Sequence, residues 1–232
     1  MPGSAQRYVN GVAVAGALLL LMALAEWPGH AESDFRQWVP YLLLAAFTST
    51  LKVRLPGLAG SASPGFAVLL AAVASLSWAE TAPLAVVCGL VQCYWNARKR
   101  PSATQLVFNA AAVVVSATIA FRFADWLVPA GSQYEPVARV AIATPTLFAA
   151  NTILVALLFS LLEGGSPLGF WRKINLWTFP HYVIGAVVTV ATALASHTSG
   201  LALPWLALPV LYLQHAFQRE LMGFIENPGS TR

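Results

Sequence analysis

Charge is scarce in this sequence. Asp, Glu, Lys and Arg make up 9% of its 232 residues, against roughly a quarter in an ordinary soluble domain. So few charges cannot clothe a water-soluble surface of this size, and lipid has to act as solvent for much of it. Cysteine is nearly absent too. Cys88 and Cys93 stand in one apolar stretch, about 140° apart on a helix. They are badly placed to bridge, two thiolates do not complete a zinc site, and they read as free thiols. Catalytic signatures are also missing. There is no Gly-x-Ser-x-Gly elbow, no His-Glu-x-x-His, no phosphate-cradling glycine loop and no acidic cluster for a metal. Every acidic residue falls at a segment end or in a loop, which argues against a carboxylate proton relay. The chain reads as a non-enzyme without cofactor or metal. Alternating polar and apolar runs are few, which speaks against an outer-membrane barrel. The net charge of +4 reads as a positive-inside bias rather than a sign of a nucleic-acid partner.

What the sequence does have is long apolar runs. Eight are expected as spans, at about 8–27, 39–51, 65–78, 82–95, 105–128, 137–162, 176–196 and 201–217. A membrane helix needs about 20 residues, so the second, third and fourth are short. The third and fourth could instead form a re-entrant hairpin lined by protein. Arg7, the apolar run after it and Ala23-Leu24-Ala25 also resemble a signal peptide. That run, however, is long for a signal segment. The expected class is therefore all-α: a polytopic transmembrane helical bundle of about eight helices (six to eight) in an inner or plasma membrane. The tail from Asn227 to Arg232 is polar.

Loop charges set the expected sidedness. With a cytoplasmic N-terminus, the inner side holds Arg7, Lys52, Arg54, Arg98, Lys99, Arg100, Arg172, Lys173, Arg219 and Arg232. The outer side holds Arg36, Arg122 and Arg139. Acidic residues lean outward: Glu26, Glu32, Asp34, Glu80, Asp125 and Glu135, against Glu163, Glu220 and Glu226 inside. This alternation follows the insertion bias for Lys and Arg and places both termini in the cytoplasm. Trp27, Trp38, Trp78, Trp95, Trp126, Trp171 and Trp177 lie near segment ends, where indole rings suit the headgroup layer; Trp205 stands apart. Arg122 and Asp125 are expected to pair at i, i+3. Pro145 and Pro180 mark expected kinks. The run Arg98-Lys99-Arg100 also suits anionic headgroups.

Uncharged polar side chains then fall mainly in the inner half. Gln92 with Asn96 and Gln105 with Asn109 are i, i+4 pairs, each on one helix face. Asn151 lies near mid-depth and His181 about a turn past Trp177. Thr48, Ser49, Thr50, Gln214, His215 and Arg219 end helices on the same side. The outer half offers chiefly Ser116, Thr144, Thr189 and Thr192. Such groups commonly bond between helices, for about 0.6 kcal/mol each. The sharper reading is a polar cavity near the cytoplasmic face for a small molecule or lipid headgroup, with Gln92, Asn109, Asn151 and His181 as its ligand-binding candidates.

Several stretches carry a resemblance: Leu51-Lys-Val-Arg-Leu-Pro-Gly57, the run Gly89 to Arg100 with Gln92, then Asn109, Asn151 and Asn175-Leu-Trp-Thr-Phe-Pro180. Together they resemble the bacterial membrane-associated sensor domains found N-terminal to HD-type phosphohydrolase or GGDEF diguanylate cyclase domains. The resemblance covers roughly residues 38–222. It implies a sensory input domain whose last helix leads into a cytoplasmic output. That output domain is not in this sequence, so a stand-alone copy would signal through a cytoplasmic partner. Two rival classes remain open: a substrate-binding component of a vitamin-type transporter, and a lipid-handling protein. The oligomeric state is left open as well.

Overall fold

The computed structural model describes residues 1–27, 35–54, 61–97, 100–131, 134–172 and 179–199, with the isolated residues 212 and 216. The helices are α1 (Gly3–Glu26), α2 (Phe35–Thr50), α3 (Gly65–Ser75), α4 (Trp78–Tyr94), α5 (Ala103–Leu127), α6 (Glu135–Glu163), the single turn α7 (Pro167–Phe170) and α8 (Phe179–Ser199). The one departure from all-α structure among the described residues is a short antiparallel ladder. It pairs β1 (Val53–Arg54) with β2 (Ser61–Ala62), Val53 opposite Ala62. The eighth expected span, 201–217, lies outside the described residues apart from Tyr212 and Ala216.

Among the described residues, three helices are long and apolar enough to cross a membrane: α1 with 24 residues, α5 with 25 and α6 with 29. On α1 the exposed side chains include Val14, Leu18, Leu21 and Met22. That is an i, i+4, i+7, i+8 stripe, costly in water and natural in hydrocarbon. α3 is different. Its 11 residues reach roughly 16 Å at 1.5 Å per residue, about half the hydrocarbon thickness. Eight of them are buried in protein.

The boundary between α3 and α4 differs from the sequence expectation. Leu76 is extended and Ser77 caps α4 through a complete capping box with Glu80. Ser77 accepts from the Glu80 N–H, and Glu80 accepts from the Ser77 N–H at 2.9 Å. This reciprocal cap satisfies two orphan donors and starts α4 four residues before the expected 82. A second capping box, Ser102 with Gln105, starts α5. α6 continues through Pro145 from Glu135 to Glu163. Pro180 stands in the first turn of α8, where its missing N–H leaves no intrahelical bond unmade.

Contacts fix the helix directions. α1 and α5 run parallel: Tyr8 meets Phe108, Gly16 meets Ala111, and Glu26 meets Arg122. α4 runs against α5, with Trp78 bonded to Thr118 and Gly89 against Ala110. α6 also runs against α5, with Arg139 beside Asp125 and the Leu154 carbonyl accepting from Tyr8. Trp27 stacks edge-on against Trp38 at 5.2 Å, so α2 starts where α1 ends. The approaches at Gly16 and Gly89 are close. A Cβ there would lie 2.6 and 2.8 Å from backbone of α5, so only glycine lets these helices meet. The main core gathers Leu70, Val73, Leu84, Val114, Phe121, Leu147 and Phe148 from α3 to α6. A smaller cluster, Val9, Val12, Phe108 and Ala111, seals α1 onto α5.

Candidate functional site

Of the four candidates, Asn151 has the most defined surroundings. Its amide donates to the Tyr182 hydroxyl at 3.4 Å, joining α6 to α8. The Tyr182 ring stacks on Phe66 of α3 at 4.2 Å and meets Phe148 edge-on at 5.3 Å. Phe148 also packs against Phe179 at 5.0 Å and Trp171 at 6.1 Å. The Trp171 indole donates to Thr152 at 2.9 Å, and Thr152 in turn donates to the Phe148 carbonyl at 2.6 Å. Five rings from α3, α6, the end of α7 and α8 thus surround two adjacent polar residues. Offset and edge-to-face rings contribute about 0.5–1.5 kcal/mol per pair beyond burial. Such a junction holds one arrangement of α8 firmly. α8 has further ties to α3: Thr189 donates to the Ala67 carbonyl at 3.1 Å, and Gly185 lies flush on Phe66.

Gln92 and Asn109 lie elsewhere, on the contact between α4 and α5. Gly89, one turn before Gln92, packs against the Asn109 carbonyl and Ala110. Both Gln92 and Asn109 are half-buried. The structure therefore places Gln92 and Asn109 at one junction and Asn151 at another. His181 is in α8, but its side chain lies outside the described residues, as do Gln214, His215 and Arg219. Gln105 is occupied by the cap of α5 rather than by a polar face with Asn109. Ser116, Thr144, Thr189 and Thr192 each donate back to the carbonyl four residues earlier. That is how hydroxyls are satisfied inside apolar helices. Thr48 does the same toward Leu44.

One heavily bonded polar residue among those described escaped sequence reasoning. Arg139 is 9% exposed. Its Nε donates to the Val73 carbonyl at 3.0 Å, its Nη1 lies 3.2 Å from Asp125 and 3.7 Å from Glu135, and its guanidinium sits over the Phe121 ring. Val73 belongs to the last turn of α3, where carbonyls lack intrahelical donors, so Arg139 acts as the C-terminal cap of the half-length helix. Glu135 is held in turn by the Gly131 N–H at 2.7 Å. A signal existed: Arg139 falls inside the sixth expected span, and an ionisable residue there is a site hypothesis by default.

The expected Arg122–Asp125 pair is not the arrangement found. Arg122 reaches Glu26 at 3.9 Å and lies over the Trp78 ring at 4.4 Å, while Asp125 turns to Arg139. Local spacing made the i, i+3 pair available, but partners from α1 and α6 bind both groups better. Trp78 is correspondingly a core residue, 4% exposed, rather than a headgroup anchor. Trp95 and Trp126 are well exposed.

Comparison with family models, with curated proteins and with solved structures gave no match.

Proposed function

We propose that the chain is a polytopic module of a bacterial inner membrane, with about eight helices and both termini in the cytoplasm. In this reading it binds a small molecule or lipid, passes the signal to a cytoplasmic partner, and performs no catalysis of its own. The resemblance to membrane-associated sensor domains supports the class. The observation that carries the reading is the Asn151–Tyr182 bond inside its ring of aromatics. It ties α8, the last helix described, to α3 and α6. A ligand that changes this junction changes how α8 enters the bundle, and α8 is followed in the sequence by the eighth expected span and the C-terminus.

Sidedness has separate support. The end where α2 and α4 finish and α5 begins carries Lys52 and Arg100. The opposite end carries Glu26, Glu80, Asp125 and Glu135. The positive-inside bias assigns the first end to the cytoplasm.

Two experiments test the reading. A C-terminal fluorescent-protein fusion should glow while a C-terminal periplasmic-phosphatase fusion stays inactive; the reverse pattern refutes the topology. For the site, the purified chain is screened for thermal stabilisation by small metabolites and polar lipids. A stabilising compound should lose its effect in Asn151→Leu and Tyr182→Phe. Undiminished stabilisation in both variants rules this junction out as the site. Uptake of a labelled vitamin by cells that also carry an energising module replaces the sensor with the transporter reading.

A further inference from the structure

α4 ends at Tyr94, and the chain leaves it sharply. Asn96 has a left-handed backbone, φ 48°, which a non-glycine residue adopts only at a tight turn. Just before that turn Leu90, Val91, Tyr94 and Trp95 line a groove of about 260 Å³. Leu90, Tyr94 and Trp95 are all exposed. The Lys52 ammonium, arriving from the end of α2, donates to the Trp95 carbonyl. This bond sets a positive charge at the mouth of an apolar groove and offsets the negative end of the helix.

The charge of the sequence stretch that builds this groove is one-sided. From Phe35 to Ala124 the sequence has a single acidic residue, Glu80. Glu80 sits in the N-terminal cap of α4, at the far end of the helix. Lys52 stands at the groove itself, and by sequence Arg98, Lys99 and exposed Arg100 follow Trp95 within five residues. An apolar channel, two amphipathic rings and then cations is the order in which a phospholipid presents acyl chain, glycerol level and phosphate.

We propose that this groove binds one anionic phospholipid. An acyl chain lies along Leu90, Val91 and Tyr94, Trp95 sits at the glycerol level, and Lys52 and Arg100 attract the phosphate. The site rests on the membrane placement proposed above. Zwitterionic lipid fits the apolar part equally well, so selectivity comes from the cations. Each basic residue near such a headgroup is worth about fivefold in affinity.

The test is native mass spectrometry of the full chain in detergent with equal phosphatidylglycerol and phosphatidylcholine of matched acyl chains. The wild type should retain phosphatidylglycerol preferentially. Lys52→Gln with Arg100→Gln should cut that retention by roughly tenfold or more. Val91→Trp, which fills the groove, should lower retention of both lipids. Arg7→Gln with Arg172→Gln removes the same charge elsewhere and should leave retention unchanged. Melting temperatures confirm that each variant is folded. Equal retention of the two lipids by the wild type overturns the site, as does an equal loss in the control pair. Unchanged retention in Val91→Trp overturns it too, and marks a groove covered by the chain itself or by a second copy. Recovery of the chain in an alkaline-washed membrane pellet checks the membrane placement separately, so failure of the one is not mistaken for failure of the other.

Discussion

Replacing Arg139 by Met is the sharpest test of how the half-length α3 is held. The side chain is 10% exposed and serves three partners. Met fills much of the same volume, so the loss is polar rather than a cavity. The Val73 carbonyl loses its donor, and a buried acceptor left unsatisfied costs about 1–3 kcal/mol. The ion pairs add less. Asp125 keeps 53% of its side-chain surface in solvent, and a pair so exposed is worth about 1 kcal/mol at most. Loss of the cation over Phe121 adds about 0.5–1 kcal/mol. The sum is about 1.5–5 kcal/mol. For a chain of this length about 3 kcal/mol corresponds to a melting shift of roughly 6–12 °C.

The assay is thermal unfolding of the detergent-purified chain, with Arg139→Lys and Asp125→Asn alongside. Lys keeps the charge but offers no planar fork, so it cannot serve Val73 and Asp125 with the same geometry and should lie between wild type and Met. Asp125→Asn should cost less than about 1 kcal/mol, because solvent shares that pair. If Arg139→Met melts within about 2 °C of the wild type, Arg139 is not the cap of α3. If Asp125→Asn costs as much as Arg139→Met, the ion pair rather than the carbonyl bond carries the effect, and the partition above is wrong.

The remaining predictions concern glycines, a cap and a thiol. Gly16→Ala and Gly89→Ala should each destabilise by about 1–3 kcal/mol, since the new Cβ meets backbone of α5. Gly11→Ala meets nothing within 4 Å and should stabilise by up to about 1 kcal/mol through helix propensity; an equal sign at all three positions refutes the packing at α1, α4 and α5. Ser77→Ala should lower stability by about 1 kcal/mol through loss of the cap of α4, while Ser77→Asp keeps most of it. A bulky maleimide should label half-buried Cys93 in the folded chain and reach buried Cys88 only after denaturation, as read by mass shift.

How legible was this in the sequence? Apolar runs announce helices by length and composition alone, so α1, α5 and α6 fall close to expectation. The start of α4 does not, although its Ser77-x-x-Glu80 box is written in the sequence. Glu80 and Thr81 look like loop chemistry, and Pro83 five residues in looks like a breaker. The helix runs through all three because burial against α5 outweighs local preference. The Arg139 cap shows the other limit. Its pairing with Glu135 is local, at i, i+4, but its partner Val73 lies 66 residues away, and no spacing rule reaches that far. Asn151 and Tyr182 are likewise joined across 31 residues. Asn151 drew notice as an amide at depth, whereas its aromatic setting needed the fold.

The two ends of the helices are built from different contacts. At the end with Glu80 and Asp125, charges are knitted to backbone and rings: Arg139 on Val73 and Phe121, Arg122 on Trp78, Glu80 in its cap. Such a network holds the α3–α4 corner to α5 and α6 in one geometry. α8 is held by ring packing, the 3.4 Å amide bond from Asn151, the Thr189 bond to the Ala67 carbonyl and a glycine contact. At about 0.5–1.5 kcal/mol for each ring pair, these contacts hold α8 about as firmly as the guanidinium holds the corner. Tyr182 is the contact shared by three helices, because its ring stacks on Phe66 of α3 and its hydroxyl accepts from Asn151 of α6.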